Sequence, residues 1–206
     1  LNSNQRMNYA EEYERKYKVY DSIPRLHYLD MKTEVDLFPN KHKYRVNAEY
    51  VLVNKNETPV TYLFITERKL LSDLTLENAT MVLNDTVFGT YLFKFTEPIL
   101  PNETTVLRYS LTQQSTPFKV DKTILNNGTY VRHDVFEPAL GYRHSMELSN
   151  SHERQKRGLP AQKEEPKGDE HLYSKEASLG NVSYQTIVSR KGRIDLILNK
   201  IPSHLT

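Results

Sequence analysis

Between Leu29 and Leu37 the chain alternates without a break: Leu29, Met31, Thr33, Val35 and Leu37 are apolar or threonine, with Asp30, Lys32, Glu34 and Asp36 between them. Past Phe38-Pro39-Asn40-Lys41 the same period returns, with Tyr44, Val46, Ala48, Tyr50 and Leu52 set against Lys43, Arg45, Asn47 and Glu49. Successive side chains of a strand point to opposite faces, so a period of two places both stretches in one sheet with one wet face. The Pro-Asn pair supplies the turn, because proline fixes φ and offers no N–H to a ladder, and asparagine tolerates left-handed backbone. A long antiparallel hairpin is expected, and its apolar face needs a second layer.

The following residues supply that layer. Val60 to Thr66 carries apolar residues on both faces, Val60, Tyr62 and Phe64 on one and Leu63 and Ile65 on the other, which predicts an interior strand. Shorter strands are expected over Leu70–Leu76, broken at Ser72 and Asp73, over Met81-Val82-Leu83, over Val87–Thr96 with Tyr91, Phe93 and Phe95 inward, and over Thr105–Leu111. Glu97-Pro98-Ile99-Leu100-Pro101-Asn102-Glu103 reads as a proline-bracketed loop. Strands at about ten-residue spacing with turn signals between them indicate an antiparallel β-sandwich. The predicted domains are a helix and linker over 1–25, the sandwich over 26–144, a helix near 145–158 with a charged linker over 145–172, and late strands over 173–206 that return to the sandwich.

In the first helix Tyr9, Tyr13, Tyr17 and Tyr20 fall four, four and three residues apart, which stacks the rings on one face. Such a stripe is expected to dock on the sheet or on a neighbouring domain, and an aromatic ligand platform is the sharper alternative. From Gln113 to Arg143 the alternation weakens. The segment Asn127, Gly128, Tyr130, Phe136, Pro138, Leu140, Gly141 and Tyr142 is too apolar to hang in water, so it is expected to form an interdomain surface.

Hydrophobic residues make up 37% of the 206, and the net charge of +2 comes from mixed signs with no basic block. Nucleic acid is therefore not an expected partner, and no apolar run reaches the length of a membrane span. There is no cysteine, which removes disulfides, thiolate nucleophiles and cysteine-ligated zinc. Asn-x-Ser/Thr sequons occur at Asn56, Asn78, Asn84, Asn102, Asn127 and Asn181, where composition predicts about two, and their closeness to turns accounts for much of the excess.

No catalytic pattern has convincing spacing. His152-Glu153 begins the H-E-x-x-H zinc motif, but Arg154-Gln155-Lys156 follows and the second imidazole is missing. Neither a nucleotide cradle nor a nucleophile elbow is present, and the carboxylates read as solvated faces.

The run Tyr13-Glu14-Arg15-Lys16-Tyr17-Lys18-Val19-Tyr20, then Ile23-Pro24, Val35-Asp36-Leu37-Phe38-Pro39 and Tyr50-Val51-Leu52-Val53-Asn54-Lys55 resembles the front of an aminopeptidase N-type zinc peptidase. The loop from Glu97 to Glu103 is similar to one in that family. Asn127-Gly128-Thr129-Tyr130, Pro138-Ala139-Leu140-Gly141-Tyr142 and Glu147-Leu148 with Arg154-Gln155-Lys156-Arg157-Gly158-Leu159 resemble a bacterial subgroup whose peptidase-like module is fused to ABC-2-type permease helices. The resemblance covers roughly residues 8–190 and implies an aminopeptidase N N-terminal-domain-like sandwich, non-catalytic in itself. It further implies an extracytoplasmic location, no cofactor in this chain, and zinc only in a catalytic domain outside it. The expected partner is the rest of its own polypeptide, with peptide substrate reached through the parent protein and no direct membrane insertion. The family's zinc helix and G-x-M-E-N motif have no counterpart here, so no catalytic or metal residue is carried over. The alternative is a stand-alone exported adhesion or carbohydrate-binding module, which requires exposed aromatics that 14 tyrosines could supply.

Overall fold

A computed structural model describes residues 2–67, 69, 71–114, 124–125, 128–129, 136–162 and 182–190. The alternating stretches form β1 (His27–Phe38) and β2 (Lys43–Val53), an antiparallel hairpin in which Val35 faces Val46 and Met31 faces Tyr50. A 3-10 turn over Pro39–Lys41 joins them, and the left-handed residue is His42 with φ 43°, not Asn40.

Seven further strands complete two sheets: β3 (Val60–Thr66), β4 (Leu71–Leu76), β5 (Ala79–Asp85), β6 (Thr90–Ile99), β7 (Thr104–Gln114), β10 (Ala139–Leu140) and β11 (Ser183–Arg190), with β8 (Ile124–Leu125) and β9 (Gly128–Thr129) forming a separate small ladder. The first sheet runs β11-β1-β2-β7-β4 and the second β10-β3-β6-β5. All pairs are antiparallel except β11, which lies parallel to β1 with Met31 opposite Tyr184 and Val35 opposite Val188. The two sheets pack face to face as a β-sandwich. Met31, Val35, Tyr44, Val46, Tyr50, Leu52, Leu107, Tyr109 and Leu111 from the first sheet meet Leu63, Ile65, Tyr91, Phe93 and Phe95 from the second.

Bulges explain where simple alternation misplaces residues. Between Val60 and Tyr62 the β3–β6 register shifts, so Val60 joins Leu63 and Ile65 in the core while Tyr62 turns outward opposite Lys94. The predicted loop from Glu97 instead opens as strand: β6 continues through Pro98 to Ile99, and the turn proper is Leu100–Glu103. Proline is tolerated there because the same register shift leaves 95–98 without partners on β3. Asp73, with φ 52°, marks the break predicted in β4.

The outer face of the second sheet is also apolar, and a helix covers it. Helix α1 (Ser3–Tyr17) opens with a capping box in which Asn2 Oδ1 accepts from the Gln5 N–H and Gln5 Oε1 accepts from the Asn2 N–H. It passes into a 3-10 turn over Lys18–Ser22 before Pro24. Its tyrosine stripe lies on the sheet: Tyr13 and Tyr17 are fully buried with Phe64, Phe88 and Leu92, and Tyr20 stacks on Phe64 at 5.0 Å. The stripe is thus a packing surface. The helix expected near 145–158 is shorter, a 3-10 turn His144–Met146 followed by α2 (Ser151–Lys156), capped by Asn150 and stopped at Gly158 with φ 66°.

Candidate functional site

The segment predicted as an interdomain surface is placed mostly inside the chain. Phe136 packs edge-on against Tyr44 at 5.6 Å, and its carbonyl accepts from the buried Tyr109 hydroxyl at 2.5 Å. Pro138 is buried and its carbonyl accepts from Tyr28 at 2.5 Å. Leu140 is half-buried in β10 opposite Ile65. Gly141, with φ 106°, donates to Phe64 O at 2.6 Å and accepts from Thr66 Oγ1, and Tyr142 stacks on Tyr13 at 5.1 Å. Gly128 pairs with Leu125 in β9, while Asn127 and Tyr130 lie outside the described residues. This packing has a simple cause. Irregular backbone carrying Phe, Pro and Tyr closes the open end of a sandwich as readily as it meets a partner, and the β3 edge needed a strand.

A charged cluster then fastens the helix layer. Arg154 on α2 is buried and forks onto Glu14 of α1, with both Nη–Oε distances 2.7 Å, while its other protons go to the Leu148 and Pro160 carbonyls. Glu147, also buried, accepts from Lys18 Nζ at 2.7 Å and lies 3.9 Å from Arg154. Burial pushes the Glu147 carboxyl up, but the Lys18 ammonium and neighbouring donors outweigh it and hold it below the usual range. His144 joins the cluster, with Nε2 3.0 Å from Asp21 and Nδ1 3.1 Å from Glu147. Beside it, burial pushes the Tyr142 hydroxyl up, and the Glu147 charge pushes the same way. Nothing in the sequence announces this cluster, since Glu14 and Arg154 are 140 residues apart.

Also at the last turn of α1, Asp85 gathers four donors: Lys16 Nζ at 2.6 Å, Tyr17 Oη at 2.5 Å, and the Val87 and Phe88 N–H groups. Burial opposes ionisation, but these donors prevail and hold the carboxyl at about 2.

Two open surfaces stand out among the described residues. The wet face of the first sheet forms a polar basin of about 410 Å³ lined by Lys32, Glu34, Asn47, Glu49, Asp73 and Arg108. Its side chains are ordered by cross-strand pairs, Arg108 Nε to Glu49 at 2.7 Å and Ser110 Oγ to Asn47 at 3.1 Å. The second surface is β11, where Tyr184, Ile187 and Val188 are 51%, 44% and 58% exposed. Tyr184 and Val188 extend the inward row of β1 beyond the cover of the second sheet.

Among the described residues, no group of three or more His, Asp or Glu side chains stands close enough together to hold a metal ion. His152 is exposed on α2. No described helix is long and apolar enough to cross a membrane.

The fold and these surfaces define a β-sandwich module with a helix layer. Comparison with protein-family models returns no match, and neither does comparison with curated proteins. Among solved structures, the chain is similar to the M1 zinc metallopeptidase from Deinococcus radiodurans at 12% identity and TM-score 0.35, over 45% of this chain and 21% of that one. A mutant of that enzyme bound to a Tyr-Ser-Ala substrate gives 14% identity and TM-score 0.35, over 45% of this chain and 22% of that one. A two-domain M1 zinc metallopeptidase mutant bound to L-arginine gives 14% and 0.34, over 48% and 24%. The chain spans less than a quarter of the length of these proteins, and so partial an overlap carries no conclusion about function.

Proposed function

We propose that this chain is a non-catalytic sandwich module of a larger aminopeptidase-like zinc peptidase, bracing the catalytic domain and walling one side of its substrate cleft. The observation that carries the proposal is β11. On this edge strand Tyr184 and Val188 stand about half exposed on the core-side face and Ile187 on the other, apolar area that further polypeptide would cover. The sequence motifs from Tyr13 to Lys55 support the same family. In this proposal the docking surface is β11, replacing the segment ending at Tyr142, and the helix layer stiffens the far side of the sandwich. Zinc belongs to the catalytic domain, the partner is the rest of the polypeptide, and the parent acts outside the cytoplasm, with or without permease helices.

The test is Val188→Lys with Tyr184→Ser in the parent protein. Limited proteolysis then cuts between the module and the next domain faster than in the wild type, while the isolated chain keeps its unfolding midpoint. If the isolated chain loses stability and the parent's cleavage rate is unchanged, β11 serves only this sandwich and the proposal fails.

A second reading rests on the polar basin. Its array of amide, carboxylate and guanidinium groups could meet the hydroxyls of a sugar, which suits a stand-alone exported carbohydrate-binding or adhesion module. No aromatic side chain stands on that face for stacking among the basin's lining residues except Tyr109, whose ring is buried inward. A glycan array probed with the purified chain separates the two: binding that Arg108→Ala abolishes favours the sugar, and a blank array favours the brace.

A further inference from the structure

The imidazole of His144 stands between two carboxylates, Asp21 Oδ1 at 3.0 Å from Nε2 and Glu147 Oε1 at 3.1 Å from Nδ1. A neutral imidazole has one N–H and one lone pair, and an ionised carboxylate only accepts. Both contacts are therefore hydrogen bonds only when the ring carries its second proton. From this geometry we infer that His144 is a proton-operated clasp between the end of the helix layer and the sandwich.

The surroundings decide which contact opens. The Glu147 side chain is fully buried, and Lys18 at 2.7 Å and Arg154 at 3.9 Å fix it. Asp21 is about one-third exposed and can turn to water. When the ring loses a proton it keeps its N–H on Glu147, and its lone pair then faces Asp21, which leaves. Asp21 belongs to the 3-10 turn Lys18–Ser22 that continues α1, and that turn ends where the Ile23 N–H donates to Tyr20 O at 3.2 Å. Opening the clasp thus loosens the tether between helix and sandwich.

The other groups facing the ring fit this charge pattern. Glu14 and Lys18 stand on the helix side, Arg154 on α2, and Arg143 and Tyr142 precede the ring, Tyr142 edge-on at 5.2 Å. The permanent cations Lys18 and Arg154 already pair with Glu14 and Glu147, which leaves Asp21 to the imidazolium. Only the doubly protonated ring can donate to both carboxylates at once, so the clasp is tighter in acid than in base.

Amide hydrogen exchange of the whole chain at about pH 5.5 and 7.5, corrected for intrinsic rates, reads the clasp at the Ile23 amide. The expected result is a two- to fivefold rise in opening, of the order of about one exposed ion pair, at the higher pH. His144→Gln and Asp21→Asn should each abolish that response, and Asp21→Asn leaves the ring on Glu147. Equal protection at both pH values in the wild type, or an unchanged response in Asp21→Asn, overturns the inference. Should His144→Gln not fold, Asp21→Asn decides alone, because it removes one carboxylate and keeps both the ring and Glu147.

Discussion

Arg154 and Glu14 lie side by side as a two-pronged pair, each side chain 2% exposed, and join α1 to α2 across 140 residues of sequence. A carboxylate that has left water depends on its partner. Arg154→Met strands Glu14 with only Lys18, at 3.8 Å, and should cost about 3–5 kcal/mol in urea unfolding. The double change Arg154→Met with Glu14→Leu should recover much of that loss, because a packed apolar pair needs no desolvation. A single-variant cost under about 1 kcal/mol would mean water reaches the pair.

Asp85 governs stability in acid. Its folded carboxyl is held at about 2, below its value in the unfolded chain, so the stability it adds is complete above about pH 4 and drains away as pH falls toward 2. Asp85→Asn should cost about 1–3 kcal/mol at neutral pH and flatten the unfolding midpoint between pH about 4 and 2. A wild-type midpoint already flat over that interval rules out the assignment.

Phe136 tests whether the segment ending at Tyr142 belongs to the core. Phe136→Ala removes a buried ring from Tyr44 and should cost the isolated chain about 3–5 kcal/mol. Tyr184→Ser, at a side chain half exposed on β11, should cost less than about 1 kcal/mol in the same measurement. Reversed magnitudes would restore the surface role of Phe136 and end that of β11.

Gly141→Ala places a methyl group 2.6 Å from Arg25 Nε at φ 106°. The arginine head can move aside, but the backbone angle cannot be relieved, so a loss of about 1–3 kcal/mol is expected by thermal unfolding. An unchanged midpoint would show that the β10 edge tolerates rearrangement.

The strands were legible because each half-buried segment writes its period of two: Met31 to Leu37 and Tyr44 to Leu52 became β1 and β2 with the predicted faces, while a bulge between Tyr28 and Asp30 leaves Leu29 exposed. The tyrosine stripe of α1 was equally plain at its spacing of four. Legibility failed where the period breaks. The shift after Val60 put Val60 in the core against parity with Tyr62 and Phe64, and Pro98 sat inside a strand because a bulge excused its missing N–H. Phe136 and Tyr142 read as a partner's surface because sequence gives apolarity without saying whose core will hold it. The cluster of Arg154, Glu14, Glu147 and His144 left no local signal, since its members come from both ends of the described chain.

β11 docks parallel to β1, from Asp30 against Ser183 to Leu37 against Arg190. During synthesis the β1–β2 hairpin emerges early, yet the far edge of β1 stays without its neighbour for roughly 10–30 s at ordinary translation speeds. For that interval an alternating eight-residue edge is open to any passing strand. The charged row Asp30, Lys32, Glu34 and Asp36 along β1 makes that edge a poor template for a stray apolar strand until the proper one arrives.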